Sequence, residues 1–314
     1  MIFLGSDQMN PAYTFTTISS KTPDQFGLVD IAFRGHSVDD RGIVASKLLD
    51  SMSSEVVEFE FIADKQIIIF NGGEINRLHL VDKLKGKARI LLDITTLGLG
   101  EILNILLALK SGGHRSVEFI YAEPGEYSSE DSAAQGKEYK LTKNCRFQAI
   151  QGFAHEYQSN MGASHAFFFG FESGRMRNAL IQRDIDDQQN YRIKVILGVP
   201  AFQCGWEHNS VVSHLNLLEE IDIREPSISY CQANSIRESY LTLWDLYRQL
   251  RSEKECFYVS PFGTKPQTVG AALFLLETKG SDFPTSLFYD HPERVVNRSV
   301  DIAKWHHFIV EIAS

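Results

Sequence analysis

The amino-acid sequence predicts an α/β fold of two lobes, each built on a largely parallel sheet, and three observations carry that expectation. Short apolar stretches rich in β-branched residues alternate with stretches of helical spacing along most of the chain. The apolar stretches are continuous, as in ARILLD at 88–93 and SVEFIYA at 116–122, which is how strands covered on both faces read. The strand-helix order of the first half then recurs in the second.

Taken in order, LVDIAFR at 28–34 reads as a strand, and 41–52 as a helix carrying Ile43, Val44, Leu48 and Leu49 on one face. Strands follow at 56–62 and 66–70, a helix at 74–84, and a buried strand at 88–93. The helix at 101–109 is closed by Ser111, Gly112 and Gly113, and the strand at 116–122 comes next. In the second half the strands fall at 165–170, 193–199, 228–232, 256–260 and 285–290, with helices at 175–182, 209–219, 236–250 and 267–277. Each half is Rossmann-like in layout.

Placing the stretch from Asp93 to Tyr127 over the chain 168 residues later needs no gap, and it aligns Thr96 with Thr264, Gly112 with Gly280, Tyr121 with Tyr289 and Pro124 with Pro292. The starts of the halves match at an offset of about 135, where IAFRGHSVDDRG and FFFGFESGRMRN share an apolar strand, a Gly, a polar turn and an Arg opening a helix. We read an internal duplication, with residues 1–127 as the first lobe and its N-terminal arm, the polar 128–160 as a linker and 161–314 as the second lobe.

Composition narrows the function. With 314 residues, 43% hydrophobic and a net charge of −9, the chain can bury a large core and opposes nonspecific attraction to nucleic-acid phosphates or anionic lipid. The N-terminus has no basic, apolar leader pattern and no apolar run approaches a membrane span, so a cytoplasmic protein is expected. Cys145, Cys204, Cys231 and Cys256 form no CxxC pair, consistent with reduced thiols.

Parallel sheets bind ligands beyond the C-terminal ends of their strands, where helix N-termini present unpaired N–H groups. Special residues gather there at 35–41, 93–100 and 170–175, and in SPFGTKPQT at 260–268. Gly263 permits close backbone approach, Thr264 can cap the helix or donate to an anion, and Lys265 brings a cation to a helix start, where the dipole disfavours it. Gly35 and Gly170 close matching strands, and Arg41 and Arg175 open matching helices where each can grip phosphate or a nearby carboxylate such as Asp39, Asp40 or Glu172. A capped helix with Thr264 as cap and Pro266 in its first turn is the alternative for the 260–268 loop.

The GTK of this loop and the following Gly270-Ala271-Ala272 resemble the ligand loop of the CRISPR-associated Rossmann-like (CARF) sensor domains, and two such lobes in one chain resemble the SAVED sensors. Pro261-Phe262 and Gln267 depart from the CARF pattern, and the first lobe has Asp93-Ile94-Thr95-Thr96 without a lysine. The resemblance implies a nucleotide sensor in prokaryotic antiviral defence, without its usual effector domain.

Other chemistries find less support. There is no P-loop, no G-x-G-x-x-G fingerprint and no H-E-x-x-H, so no cofactor or metal is implied. No G-x-S-x-G elbow occurs, and Ser260 is the nearest nucleophile candidate. His306 and His307 are adjacent and are expected to diverge on a helix. Asp93, Glu123, Glu126, Glu172 and Asp290 stand near strand ends as candidate acids or bases, or as solvated loop carboxylates. Phe167-Phe168-Phe169, Tyr230, Tyr240, Trp244 and Tyr247 are expected in the core. Three functions stay open: a cytosolic sensor or regulatory subunit for a nucleotide or other phosphorylated small molecule, an enzyme acting on such a molecule, and a scaffold subunit for a protein partner.

Overall fold

In a computed structural model the structure describes residues 12–23, 26–132, 136–155, 162–182, 191–220, 227–251, 256–281, 283 and 285–312. The first half runs β1 (Tyr13–Ser20), β2 (Ile31–Arg34), α1 (Asp40–Met52), β3 (Val56–Ile62), β4 (Ile67–Phe70), β5 (Gly73–Ile75), α2 (Arg77–Leu84), β6 (Ile90–Asp93), α3 (Leu99–Ser111) and β7 (Ser116–Tyr127). Short strands β8 (Glu130–Ser132), β9 (Gly136–Glu138) and β10 (Thr142–Lys143) follow. The second half has β11 (Ala163–Phe168), α4 (Ser173–Gln182), β12 (Tyr191–Gly198), α5 (Trp206–Glu220), β13 (Ser227–Cys231), α6 (Ile236–Arg251), β14 (Cys256–Pro261), α7 (Lys265–Thr278), β15 (Thr285–Leu287), β16 (Glu293–Arg294) and β17 (Ser299–Ile312).

The chain is mixed α/β, as its alternating patterns predict. Four parallel strands, β3-β2-β6-β7, centre an eight-stranded sheet. The antiparallel strands β4 and β5 extend one side, and β17 and β1 extend the other. A second sheet, β13-β12-β11-β14-β15, is parallel throughout. Its β11 and β14 are buried at every residue, which is why ASHAFF and CFYVSP do not alternate.

One hydrophobic cluster spans both sheets, with α3 and α7 packed against each other inside it. Both helices are apolar nearly all round, since each is covered by a sheet on one side and a helix on the other. Lys110 adds a hydrogen bond from its Nζ to the Leu276 carbonyl at 3.0 Å. The helix pair brings the C-terminal ends of the parallel strands of both sheets toward the same space.

The structure corrects several local expectations. The helix expected at 74–84 is divided: Gly73–Ile75 is the edge strand β5, and α2 begins after Asn76, whose side chain caps it by accepting from the His79 N–H at 2.9 Å. The strand expected at 285–290 stops at Leu287. Residues 299–312, grouped with the second lobe by sequence, form β17 and pair with β7 and β1 in the first sheet. His306 and His307 therefore lie on a strand, where neighbours face opposite sides. His306 Nε2 meets Glu123 Oε2 at 2.6 Å, and His307 Nε2 meets Glu118 Oε2 at 2.7 Å. Tyr230 is 63% exposed rather than buried, because β13 is an edge strand. Among the described residues no helix is long and apolar enough to cross a membrane.

Candidate functional site

A cleft of about 1300 Å³ lies between the strand ends of the two sheets. The loops after β2 and β6 line one side and those after β11, β12, β14 and β15 line the other, so the cleft opens at the C-terminal strand ends of both halves. The N-termini of α3 and α7 both reach it. That of α3 follows Gly98, which has no side chain to cap the helix, and that of α7 carries a capping box.

Of the 260–268 loop, Thr264 takes the structural part. Its hydroxyl donates to the Ala233 carbonyl and accepts from the Gln267 N–H at 3.4 Å, while Gln267 Oε1 accepts from the Thr264 N–H at 2.9 Å. Gly263 sits against that Gln267 side chain, where a Cβ would not fit. Lys265 is half-buried and faces the cleft, and its Nζ reaches across to the Leu97 carbonyl of the first half. Burial, reinforced by the neighbouring guanidiniums of Arg294 and Arg298, holds the Lys265 amine well below its ordinary pKa.

Arg294 and Arg298 were not among the residues singled out from sequence, yet they share this site. Arg294 donates from Nη1 to the carbonyls of Thr95 at 3.1 Å and Thr96 at 2.6 Å, and from Nη2 to that of Leu97 at 2.6 Å. Two basic side chains thus converge on one oxygen, Leu97 O. Burial and Arg298 lower the Arg294 pKa to about 10. Arg298 lines the same cleft, and its buried Nε has no hydrogen-bond partner. Among the described residues no carboxylate lies within ion-pair distance of any of the three. The nearby Glu101 accepts from the Phe61 N–H at 3.1 Å. The strand-end rule, had it been extended to the loop after β15, is the only sequence signal that could have reached these arginines.

The other candidates are tied into the framework. Arg41 is buried and donates to Ser299 Oγ at 2.8 Å, the Ala122 carbonyl at 2.7 Å and Asp39 at 3.0 Å, so its carboxylate partner is one of those expected. Arg175 forms a bidentate pair with Asp290 at 2.8 and 2.6 Å, rather than with Glu172, and stacks over Phe262 at 4.4 Å. Burial alone would depress the Arg175 pKa, but Asp290 raises it. Both guanidiniums border the cleft without offering a free fork to phosphate.

Asp93 is fully buried and accepts from the Thr95 N–H at 2.9 Å and the Thr96 hydroxyl at 2.6 Å; burial raises its pKa against those bonds. Glu123 lies outside the cleft, on His306. Glu172 accepts from the N–H groups of Leu141 at 2.8 Å and Thr142 at 2.9 Å, anchoring β10. Glu126 is exposed at the end of β7. Ser260 is buried, donates to the Phe288 carbonyl at 2.6 Å and lies 2.7 Å from His165 Nε2, which leaves its hydroxyl unexposed to a substrate. Gly35 and Gly170 each lie beneath a loop carbonyl: a Cβ would stand 2.6 Å from Thr96 O in the first case and 2.5 Å from Phe262 O in the second.

Tyr127, Phe171 and Trp206 form an aromatic wall of the cleft, in edge and tilted contacts of 5.3 to 5.8 Å between centroids. Among the described residues no group of three or more His, Cys, Asp and Glu is placed to hold a metal ion. No protein-family model and no curated sequence matches the chain.

Proposed function

We propose that the cleft binds a phosphate-bearing small molecule of the nucleotide class and that the protein acts as a nucleotide sensor or regulatory subunit. The observation that carries this reading is the cluster of Lys265, Arg294 and Arg298, three cleft-facing basic side chains with no carboxylate at ion-pair distance among the described residues, one of them with an orphaned buried N–H. Concentrated positive charge at two helix N-termini is what an anionic ligand would neutralise. The aromatic wall supplies faces on which a base can stack.

The finer architecture belongs to the same proposal: two Rossmann-like lobes descended from one repeat, aiming equivalent loops at shared space. It is supported by Lys265 bonding to Leu97, the residue 168 positions earlier that the repeat aligns with it, and by the matched roles of Gly35 and Gly170. A catalytic reading through Asp93, Glu123 or Glu172 is weakened because each is held by framework hydrogen bonds. One observation favours a protein-binding role: Ile228 and Tyr230, two residues apart on the edge strand β13, are 44% and 63% exposed.

The test is titration calorimetry of the full chain with ATP, a cyclic dinucleotide and inorganic phosphate. We expect binding that weakens with salt and falls at least tenfold in R298A, whose fold is checked by circular dichroism. Absence of binding by all three, or equal affinity in R298A, would remove the proposal.

A further inference from the structure

Lys265 occupies an unusual position for a lysine. It opens α7, where the positive end of the helix disfavours an ammonium, and its Nζ shares an acceptor with a guanidinium. The groups that bear on it electrostatically are Arg294 and Arg298 on the cationic side, with Glu101 and Asp93 opposing them. Glu101 is occupied by the Phe61 N–H, and Asp93 by Thr95 and Thr96. A half-buried amine beside two arginines, in a cleft large enough for a small molecule, has the surroundings that activate a lysine as a nucleophile.

We propose that Lys265 forms an imine with the carbonyl group of a phosphate-bearing aldehyde or ketone, whose phosphate is held by Arg298. The inference rests on the anion-binding reading of the cleft and adds a covalent step to it. The lone pair of the unprotonated amine attacks the carbonyl carbon as the C=O π pair moves to oxygen, and a proton passes from nitrogen to that oxygen, giving a carbinolamine. The nitrogen lone pair then expels the hydroxyl, which leaves as water with a proton from solvent, and the resulting iminium nitrogen returns its remaining proton to solvent, leaving the C=N bond. No oxidant or reductant is consumed.

The probe is pyridoxal 5′-phosphate, used here as a phosphate-bearing aldehyde. The full chain is incubated with it at pH 7.5, reduced with borohydride to trap any imine, and mapped by peptide mass spectrometry. We expect Lys265 to be labelled at least tenfold more than the exposed Lys85, with pyridoxal itself much less effective and inorganic phosphate protecting the site. Mapping the wild-type chain makes the result independent of whether a Lys265 variant folds. Labelling of Lys265 no greater than that of Lys85 overturns the inference. If nucleotides still bind in calorimetry, that failure belongs to the imine alone. Equal labelling of Lys265 by pyridoxal and its phosphate, without protection, shows a nucleophile but overturns the phosphate grip.

Discussion

Replacing Lys265 by methionine (K265M) should change how stability depends on pH, with a slope set by the geometry of the cleft. Lys265 Nζ and Arg294 Nη2 donate to the same Leu97 oxygen, so the two nitrogens stand within about 5 Å of each other, and two positive charges that close would repel by at least about 3 kcal/mol at an effective dielectric of about 20. Burial and that repulsion both disfavour the ammonium and hold the Lys265 amine well below its ordinary pKa. Between the lowered folded value and the ordinary 10.5, the unfolded chain carries the lysine proton and the folded chain does not. Stability of the wild type therefore rises with pH through that interval, by at most about 1.4 kcal/mol per unit. Met keeps the apolar stem, Leu97 O keeps its bond from Arg294, and every other titrating group is common to both proteins. Urea unfolding monitored by circular dichroism at half-unit pH steps should show wild type gaining on K265M as pH rises toward 10.5, by up to about 1.4 kcal/mol per pH unit. A constant difference across the range would refute the reasoning, as would wild type gaining as pH falls.

Glu118 predicts the opposite limb. It is buried, which opposes ionisation, but the His307 hydrogen bond and the Arg89 fork at 2.7 Å hold its pKa down at about 2 against an ordinary 4.5. Its contribution is complete above pH 4.5 and is lost as pH falls toward 2. The 2.5-unit depression gives about 3 kcal/mol, so E118Q should cost about that much at neutral pH and flatten the acid limb of a urea-unfolding series. An acid limb identical to that of wild type would show that Glu118 does not drive it. Gly35→Ala drives a methyl to 2.6 Å from Thr96 O, in a loop that Arg294 also holds, and should cost about 1–3 kcal/mol. Thermal unfolding checks this, and an unchanged Tm would mean that the loop yields freely.

The local architecture was legible because it is written in short-range patterns. Continuous apolar runs marked the buried parallel strands, and Thr264 as cap with Pro266 in the first turn marked the start of α7, since a helix cap needs only near neighbours in sequence. Position at strand ends also brought Gly35, Gly170 and Lys265 to notice, and all three border the cleft. The same patterns misread the C-terminus: DIAKWHHFIV has no clean alternation, because β17 is buried on both faces in its middle and bulged between Ile302 and Lys304.

Which charges are free was decided elsewhere in the chain. Arg41 and Arg175 stood in sequence as matched candidates for phosphate beside Lys265, but Asp39 and Ser299 absorb the first and Asp290 the second, the last two partners lying 258 and 115 residues away. Arg294 and Arg298 carried no local signature and gained their place when the segment after β15 crossed to the Thr95–Leu97 carbonyls of the first half. Periodicity records which face of an element meets the core, and that much travels with the residues themselves. Whether a buried cation finds a counter-charge depends on packing between distant segments, so the unpaired cluster became visible only once both sheets were assembled around α3 and α7.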